Sequence, residues 1–343
     1  MRIGSRQIGP THPPFVIAEI GINHGGSLEV AKEMVLRAAQ SGCECVKHQT
    51  HFVEDEMTEE AKQIFPPNAD VSIWEVMARC ALSKDDEIEL KRYSEQLGMI
   101  YLSTPFSRVA ADFLEEIGVL AYKIGSGEAD NIPLIRHIAR LGKPVIMSTG
   151  MQSVESLRAS VDILAQAGID YALLECTNLY PSPPEIVSLR GVSELQESFP
   201  GVPVGFSDHS IGPEMALASV ALGACILERH YTDTRYRAGP DIINSMDPAE
   251  LRLMIDRSKE IWIAANNPKE RTAAEEDVYR FARASVVADR DLPEGHTITE
   301  ADIWTRRPGN GEIAGYDFDK VLGRTTTRAL RRNTQLRWVD LNK

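Results

Sequence analysis

The sequence predicts a (β/α)8 barrel of the triosephosphate-isomerase type, followed by a small C-terminal module. From Phe15 onward, short apolar strands alternate with amphipathic helices through eight successive units, and after residue 265 this rhythm ends. An uninterrupted series of β/α units is typical of a parallel barrel. A doubly wound open sheet is the alternative, but the turn after the first strand, GINHGG, lacks the glycine spacing of a dinucleotide-binding loop.

Each element follows from the local pattern. Residues 2–14 read as a hairpin or extended arm that ends in prolines. The predicted strands, which are short apolar runs, are 14–20, 43–47, 98–103, 119–124, 143–148, 171–175, 202–206 and 224–228. The predicted helices, which carry apolar residues at helical spacing, are 27–41, 84–97, 107–117, 132–141, 154–167, 188–198, 213–222 and 247–265. This predicts a barrel domain over 1–265, a polar linker over 266–284 and a C-terminal domain over 285–343.

The composition restricts the class of protein. The chain has 343 residues, a formal net charge of −13 and 43% apolar residues. This charge disfavours nucleic acid or an anionic membrane as a partner. Nothing in the sequence resembles a signal peptide or an apolar run of membrane length, so we expect a soluble cytoplasmic protein. The cysteines are odd in number and mostly lie in apolar runs, which predicts buried reduced thiols. They are Cys43, Cys45, Cys80, Cys176 and Cys225.

Two histidines follow neighbouring predicted strands. His209 comes shortly after the strand 202–206, and His230 shortly after the strand 224–228. Consecutive parallel strands of a β/α series lie side by side, so we expect both imidazoles at one edge of the sheet. Two imidazoles leave most of a coordination sphere open, as in a catalytic metal site. The alternative is that both histidines are polar loop residues that cap helices.

Polar residues end the other strands as well, and they should face the same pocket, because active sites of such barrels lie at that end. These residues are Glu19, Lys47, Gln49, Ser103, Thr104, Lys123, Ser126, Glu128, Ser148, Glu175, Thr177, Asn178, Ser207 and Glu228. Two lysines and several hydroxyls predict a site for a small, highly charged phosphate ester. Ser103 and Ser148 could instead cap helices. Glu19 and Glu128 are candidate acid–base groups.

Nine motifs carry a resemblance to a known family. In chain order they are FVIAEIGINHGGS, VKHQTH, YLSTPFS, YKIGSGE, STGM, TNLYPSPP, GFSDHSIG, LERHYTD and GPDI. Over nearly the whole chain they closely resemble the N-acetylneuraminate (sialic acid) synthase family, which also includes legionaminic and pseudaminic acid synthases. The resemblance implies a transferase that condenses phosphoenolpyruvate with N-acetylmannosamine and water, giving N-acetylneuraminate and phosphate with C–O cleavage. It also implies a divalent metal, usually Mn²⁺, with Mg²⁺ and Co²⁺ as alternatives.

The resemblance assigns roles to individual positions. His209 and His230 match the metal-binding histidines, the pair reached above from strand order. The residues that match phosphoenolpyruvate contacts are Lys47, Thr104, Lys123, Ser126, Ser148, Asn178 and Ser207. Lys47 and Lys123 would also offset the charge of the departing phosphate.

A second set of positions matches residues that contact the amino sugar or take part in proton transfer. They are Glu19, Gln49, Asn68, Glu128, Tyr180 and Asp241. We favour Glu128 as the carboxylate that stabilises positive charge at C2 of phosphoenolpyruvate and steers the water, with Glu19 mainly holding the sugar. The reverse division between the two stays open. Asn68 could equally be a solvated turn residue in PPNAD.

The C-terminal domain has turn signals in DLPEG and RPGNG, and at about 60 residues it is small enough to need a partner surface. It resembles the antifreeze-like (SAF, β-clip) domain of the family. The resemblance implies a domain-swapped homodimer in which this domain caps the barrel of the other protomer. Arg307 matches the arginine that binds sugar in that site, with Arg306 as its rival, and Phe281 matches an aromatic wall.

Three other functions are alternatives to this one. VKHQTHFVEDEM and TNLYPSPP favour the N-acetylneuraminate branch over legionaminic or pseudaminic acid synthesis, although Arg235 and Arg237 in a substrate-facing loop could alter the sugar. A barrel that only binds sugar is an alternative of another class, but no expected metal histidine or phosphate lysine is missing. A metal-dependent aldolase that uses free pyruvate would not need Lys47 and Lys123.

Overall fold

The computed structural model describes residues 1–66 and 69–342, so the predicted site residue Asn68 lies outside the described residues. The chain divides into two units, Met1–Asn267 and Pro268–Lys343. No described helix is both long enough and apolar enough to cross a membrane. All five cysteines are free thiols, and only Cys80 is less than fully buried.

Eight parallel strands form the sheet of the first unit, which confirms the predicted fold class. Strands β1 to β8 are Phe15–Gly21, Cys45–Thr50, Ile100–Pro105, Tyr122–Ile124, Val145–Ser148, Tyr171–Cys176, Val204–Asp208 and Ile226–His230. Their order is β3-β2-β1-β8-β7-β6-β5-β4, and the edge strands β3 and β4 approach each other to close the barrel. A short hairpin, Arg2–Ile3 with Arg6–Gln7, precedes β1.

Helices follow the strands. In chain order, α1 to α11 are Leu28–Gln40, Val53–Glu56, Ile73–Cys80, Lys84–Gln96, Arg108–Glu116, Ile132–Arg140, Val154–Gln166, Arg190–Ser198, Glu214–Ala221, Pro248–Ala265 and Glu276–Ala282. Side-chain oxygens accept backbone N–H bonds at the starts of six of the eight helices that the sequence predicted, which is why their first residues were predictable, and Ser72 caps the unpredicted α3 in the same way. The caps of the six predicted helices are Ser27, Ser83, Ser107, Asn131, Ser153 and Asp247. The short helices α2 and α3, between β2 and α4, were not predicted.

The inside of the barrel changes from apolar to polar along each strand. On β1, Phe15 and Ile17 belong to the inner apolar cluster, and strand alternation turns Glu19 to the same side. On β8, Ile226 belongs to that cluster, and Glu228 and His230 follow at alternate positions. Val16, Ala18 and Ile20 belong to the other, larger apolar cluster. The inner core therefore ends in a polar layer at the C-terminal ends of the strands.

Several strands run about two residues further than predicted. The ladder continues through Ser207 and Asp208 in β7 and through Arg229 and His230 in β8. Strand pairing uses backbone N–H and C=O groups, so a change from apolar to polar side chains does not end a strand. As a result His230 is the last residue of its strand, whereas His209 directly follows β7 as predicted.

The second unit contains α11 and two short antiparallel ladders. Strand β9, Ser285–Ala288, pairs with β10, Ile303–Arg306, and β11, Thr325–Thr326, pairs with β12, Leu341–Asn342. The unit has its own apolar core, which includes Val286, Leu292, Ile298, Ile303, Leu330 and Leu336.

Candidate active site

A cavity of about 130 Å³ lies at the C-terminal ends of the barrel strands. It gathers all seven residues predicted to hold phosphoenolpyruvate, both predicted metal-binding histidines and three predicted sugar contacts. Its lining includes Glu19, Lys47, Gln49, Thr104, Lys123, Ser126, Ser148, Asn178, Tyr180, Ser207, His209 and His230. The predicted positions thus form one site, and the roles assigned to them stay predictions.

Two buried lysines dominate one side of this cavity. Lys47 Nζ lies 2.8 Å from Glu19 Oε2 and 3.9 Å from Glu228 Oε1. Lys123 Nζ donates to Ser148 Oγ at 2.7 Å and lies 3.7 Å from the same Glu228 oxygen. The lysines are 4% and 2% exposed, so water screens their charge very little.

The carboxylates tune the two ammonium groups differently. Burial lowers the pKa of Lys123 despite the opposing effect of Glu228. Burial also disfavours the charge of Lys47, but Glu19 and Glu228 outweigh it and raise its pKa. Burial raises the pKa of Glu19, whereas for Glu228 the two lysines outweigh burial and lower the pKa. An ammonium group whose charge is costly when buried is poised to receive an anion.

Glu228 lines the cavity, as its position at the end of a predicted strand indicated, but no role was assigned to it. Its Oε1 accepts a hydrogen bond from Ser207 Oγ at 3.1 Å in addition to facing both lysines. Its side chain reaches the cavity because Glu228 lies two residues before His230 and therefore on the same face of β8. Phe106 and Cys176 also line the cavity, and no pattern in the sequence marked them.

The backbone at Gly150 brings two predicted phosphate-binding side chains together. Gly150 N donates to Ser126 Oγ at 3.0 Å. A Cβ at this position would lie 2.0 Å from Asn178 Oδ1 and 2.8 Å from Ser126 Oγ. Only glycine therefore permits this arrangement of hydroxyl, amide and backbone N–H.

His209 and His230 approach each other, with ring centroids 5.4 Å apart. His209 Nδ1 contacts the Thr177 carbonyl oxygen at 2.9 Å, so this nitrogen carries a hydrogen, and Nε2 is the nitrogen that could bind a metal after it loses its proton. His230 Nδ1 is buried without a hydrogen-bond partner in the described structure. A fixed imidazole beside one with an unsatisfied nitrogen fits a metal ion. The described residues contain no cluster of three or more ligating side chains, so other coordination positions would fall to substrate or water.

The two imidazoles differ in their affinity for protons. Burial opposes a charge on His209, but Cys176, the Thr177 carbonyl and Glu228 outweigh it and raise the pKa to about 9. For His230, burial and then the charge of His209 hold the pKa well below its usual value. A metal bound here would have to displace a proton from His209, because only the neutral ring is a ligand.

A second cavity, of about 280 Å³, adjoins the first and is also lined by Gln49, Phe106, Tyr180 and His230. The rest of its lining is mostly apolar and consists of Ile22, Pro66, Ala69, Ile73, Val76, Met77, Pro240 and Asp241. Asp241 Oδ2 lies 3.7 Å from His230 Nδ1, and burial raises the pKa of this carboxyl to about 6. Three predicted sugar contacts, Gln49, Tyr180 and Asp241, thus share one apolar space.

Ser103, Glu175 and Thr177 were predicted to face the pocket, but they line neither cavity. The Ser103 hydroxyl contacts Thr50, the Glu175 carboxylate lies beside Gly191 of α8, and the Thr177 hydroxyl donates to the Ile186 carbonyl oxygen.

Three residues with assigned roles are not brought into these cavities either. Glu128 is half-buried, does not line either cavity, and its carboxylate accepts a hydrogen bond from Asn131 Nδ2. Phe281 and Arg307 belong to the second unit, where Phe281 is exposed and Arg307 lines a cavity with Arg306. Their predicted contacts with the site of another protomer stay predictions.

Comparison with known proteins gives two family matches. Residues 34–270 match the NeuB family, and residues 283–342 match the SAF domain. The chain is 35% identical to human N-acetylneuraminate-9-phosphate synthase, over 92% of this chain and 89% of that protein. It is 33% identical to the N,N'-diacetyllegionaminic acid synthase of Campylobacter jejuni, over 94% and 98%. The crystal structure of N-acetylneuraminic acid (sialic acid) synthetase from Leptospira borgpetersenii superposes with a TM-score of 0.75 at 30% identity, covering 81% of this chain and 94% of that one.

Proposed function

Because the chain belongs to the NeuB family, we propose that it condenses phosphoenolpyruvate with N-acetylmannosamine and water to give N-acetylneuraminate and phosphate. One observation carries the proposal. Two buried ammonium groups and a set of hydroxyl and amide groups line the same cavity as two closely spaced imidazoles. A doubly charged phosphate ester and a polarisable aldehyde are the reactants that such a site suits.

The phosphate and carboxylate of phosphoenolpyruvate would bind on the lysine side. Lys123 supplies charge, and Ser148, which already accepts its hydrogen bond, can donate its own hydrogen to the substrate. Gly150 holds Ser126 and Asn178 close together as neutral donors. As the C–O bond breaks, charge grows on the departing phosphate, and fixed cations stabilise that change without reorganising.

His209 and His230 would hold the divalent metal, with Mn²⁺ as the expected ion and Mg²⁺ or Co²⁺ as alternatives. Such an ion supplies Lewis acidity toward the acceptor aldehyde. The Thr177 carbonyl fixes the ring of His209. Gln49, Tyr180 and Asp241 would orient the sugar in the adjoining cavity. Orientation of the aldehyde toward the enol carbon lowers the entropic part of the barrier.

Proton transfer falls most naturally to carboxyl groups that line the cavity. Burial raises the pKa of Glu19, so this carboxyl can hold or release a proton near neutrality. Glu19 also pairs with Lys47 at 2.8 Å. The protonation of Glu19 would therefore depend on whether Lys47 faces a bound phosphate. The role that the sequence suggested for Glu128 would require its carboxylate to turn away from Asn131 and toward the cavity.

The second cavity supports an acceptor without a phosphate group. Its described lining contains no lysine or arginine, and it does contain the carboxyl of Asp241. Its apolar wall, with Ile73, Val76 and Met77 from α3, suits the methyl group of an acetamido substituent. The same wall favours a second candidate acceptor, a 2,4-diacetamido-2,4,6-trideoxyhexose, because it adds two methyl groups.

The SAF match in the second unit supports a swapped homodimer in which Arg307 and Phe281 of one protomer serve the site of the other. This assembly would provide a cation that the described lining of the second cavity lacks. Sedimentation measures the oligomeric state. Mixing an Arg307→Ala variant with a His209→Ala variant should restore part of the activity if sites are shared between protomers.

Phosphate release by the purified protein tests the proposed reaction. Phosphoenolpyruvate and Mn²⁺ are supplied with N-acetylmannosamine, with 2,4-diacetamido-2,4,6-trideoxymannose or with its altrose isomer. Preference for N-acetylmannosamine supports the proposal as stated. Preference for a diacetamido sugar keeps the chemistry and moves the protein to the legionaminic or pseudaminic branch. If folded and metal-loaded protein releases no phosphate with any of the three sugars, the enzymatic function is wrong and the sugar-binding function is the one that stands.

A further inference from the structure

A series of side-chain hydrogen bonds connects Glu56, which does not line the catalytic cavity, to Glu19, which does. Glu56 Oε2 lies 2.8 Å from His51 Nδ1, and His51 Nε2 lies 3.1 Å from Gln49 Oε1. Gln49 Nε2 then donates to Glu19 Oε1 at 2.7 Å. Lys47 holds the other Glu19 oxygen. Neither His51 nor Glu56 lines the catalytic cavity, yet both connect to it.

This series of hydrogen bonds is mostly shielded from solvent, and its histidine is tightly held. The side chains of His51 and Glu56 are only 1% and 9% exposed. Phe106 stacks on the imidazole, with ring centroids 4.5 Å apart and planes within 12°. Glu56 is the last residue of α2, and its neighbours Glu54 and Asp55 are exposed. A carboxylate and an imidazole that are shielded from water are costly unless they are paired with each other. The contact between Glu56 and His51 therefore fixes the orientation of the imidazole.

The hydrogen count fixes the orientation of the Gln49 amide. If Glu19 is ionised, it can only accept, so the NH2 group of Gln49 must face it. The amide oxygen then faces His51 Nε2, which must donate. A second hydrogen lies between His51 Nδ1 and Glu56 Oε2, on the other side of the imidazole. Without a donor at Nε2, the amide oxygen would lose its partner, and the amide could flip and turn its oxygen toward the carboxylate.

We propose that His51 and Glu56 are positioning residues that act through Gln49, locking its amide so that it donates to Glu19. This inference rests on the proposed function, because Gln49 lines both the lysine-side cavity and the cavity assigned to the acceptor sugar. The locked amide uses one hydrogen for Glu19 and keeps the second for an oxygen of the acceptor. His51 and Glu56 therefore govern acceptor binding and turnover without touching either substrate.

A double-mutant cycle tests whether the two residues act through Gln49. His51→Phe keeps the ring stacked on Phe106 and removes both nitrogens, whereas His51→Gln restores an N–H donor near the position of Nε2. We expect kcat/KM for the acceptor to fall about tenfold in His51→Phe and in Glu56→Gln, with KM for phosphoenolpyruvate changed less than twofold. His51→Gln should recover much of the loss. In a Gln49→Ala background, His51→Phe should lower kcat/KM for the acceptor by less than a further twofold.

Glu54→Gln is the matched control for Glu56→Gln, because it removes the same charge from an exposed position of the same short helix. Equal effects of the two substitutions would overturn the proposal. A full additive effect of His51→Phe in the Gln49→Ala background would also overturn it, because the histidine would then act by another route.

A readout that needs no turnover separates this inference from the proposed function. In ¹⁵N-labelled protein, the side-chain NH2 signals of Gln49 are those lost in Gln49→Ala. We expect slow hydrogen exchange at this group in the wild type and in His51→Gln, and fast exchange in His51→Phe. Unchanged protection in His51→Phe overturns the inference even if the enzyme is active. Protection in the wild type that is lost in His51→Phe, in a protein that turns over no acceptor, would uphold the locked amide and sink the proposed function.

Discussion

The ammonium group of Lys123 donates a hydrogen bond of 2.7 Å to the hydroxyl of Ser148, and both side chains are at most 2% exposed. The residues lie on the neighbouring strands β4 and β5, and both side chains line the cavity at the ends of these strands. Burial lowers the pKa of Lys123, so its charge is costly in the free protein. Binding of an anion would offset that cost, so Lys123 and Ser148 are suited to form part of a phosphate-binding site.

Replacing Lys123 with methionine should weaken phosphoenolpyruvate binding by at least about tenfold, because one buried ionic hydrogen bond is lost. The free energy of unfolding should fall, because the buried Glu228 carboxylate loses one of its two counter-charges. Calorimetric titration with phosphoenolpyruvate and urea unfolding measure the two effects. Lys143→Met, which removes a partly exposed lysine paired with Glu115, is the control. Unchanged affinity in Lys123→Met would contradict this assignment.

Gly150→Ala should disrupt the phosphate site while the barrel still folds. The new Cβ would lie 2.0 Å from Asn178 Oδ1, so Asn178 and Ser126 must move apart. We expect the affinity for phosphoenolpyruvate to fall about tenfold or more, with a smaller change in thermal stability. Glu155→Ala, on the exposed start of α7, serves as the nearby control. Equal affinities of Gly150→Ala and wild type would show that these two side chains do not hold the substrate.

Glu87 should make the folded protein less stable as pH rises. Burial raises the pKa of this carboxyl from 4.5 to about 8, despite the hydrogen bond from Thr50. Between these values the folded protein keeps a proton that the unfolded chain releases, so the free energy of unfolding falls as pH increases.

Glu87→Gln removes this ionisation and can still accept the hydrogen bond from Thr50. The free energy of unfolding of the variant, compared with that of the wild type at the same pH, should rise by on the order of 2 kcal/mol from pH 5 to pH 8. Urea unfolding at both pH values measures the change, with the exposed Glu54→Gln as control. A stability difference that does not vary with pH would mean that Glu87 is already ionised in the fold.

Val76→Phe should affect the acceptor and leave phosphoenolpyruvate alone. Val76 is on α3 and lines only the apolar cavity, so a larger ring fills that space. We expect KM for N-acetylmannosamine to rise about tenfold, with KM for phosphoenolpyruvate within twofold of wild type. Leu253→Phe, on an exposed face of α10, controls for the added volume. Parallel loss of affinity for both substrates would indicate a general disturbance rather than a sugar cavity.

Much of the fold and of the site followed from the sequence for one physical reason. Apolar runs mark the strands, and the end of each run marks the edge where parallel strands place their polar residues. Strand order alone, without the family resemblance, predicts the positions of Lys47, Lys123, His209 and His230. The ends of the strands were misjudged because pairing depends on the backbone, so β8 includes His230.

Other features depended on contacts between distant parts of the chain. The direction of the Glu128 carboxylate depends on a bond with Asn131, which strand counting does not reveal. The central position of Glu228 depends on lysines from two other strands. The apolar cavity is partly built by α3, a helix in a segment with no regular β/α pattern, and so its shape was not predictable.

The most direct test of the account is Mn²⁺-dependent phosphate release from phosphoenolpyruvate and N-acetylmannosamine by wild type and by His209→Ala. We expect one phosphate per N-acetylneuraminate formed, no release without the sugar, and a loss of at least about a hundredfold in His209→Ala with phosphoenolpyruvate still bound. His137→Ala, a histidine on α6 paired with Asp112, should behave as wild type. Phosphate release that needs neither the sugar nor His209 would contradict the account.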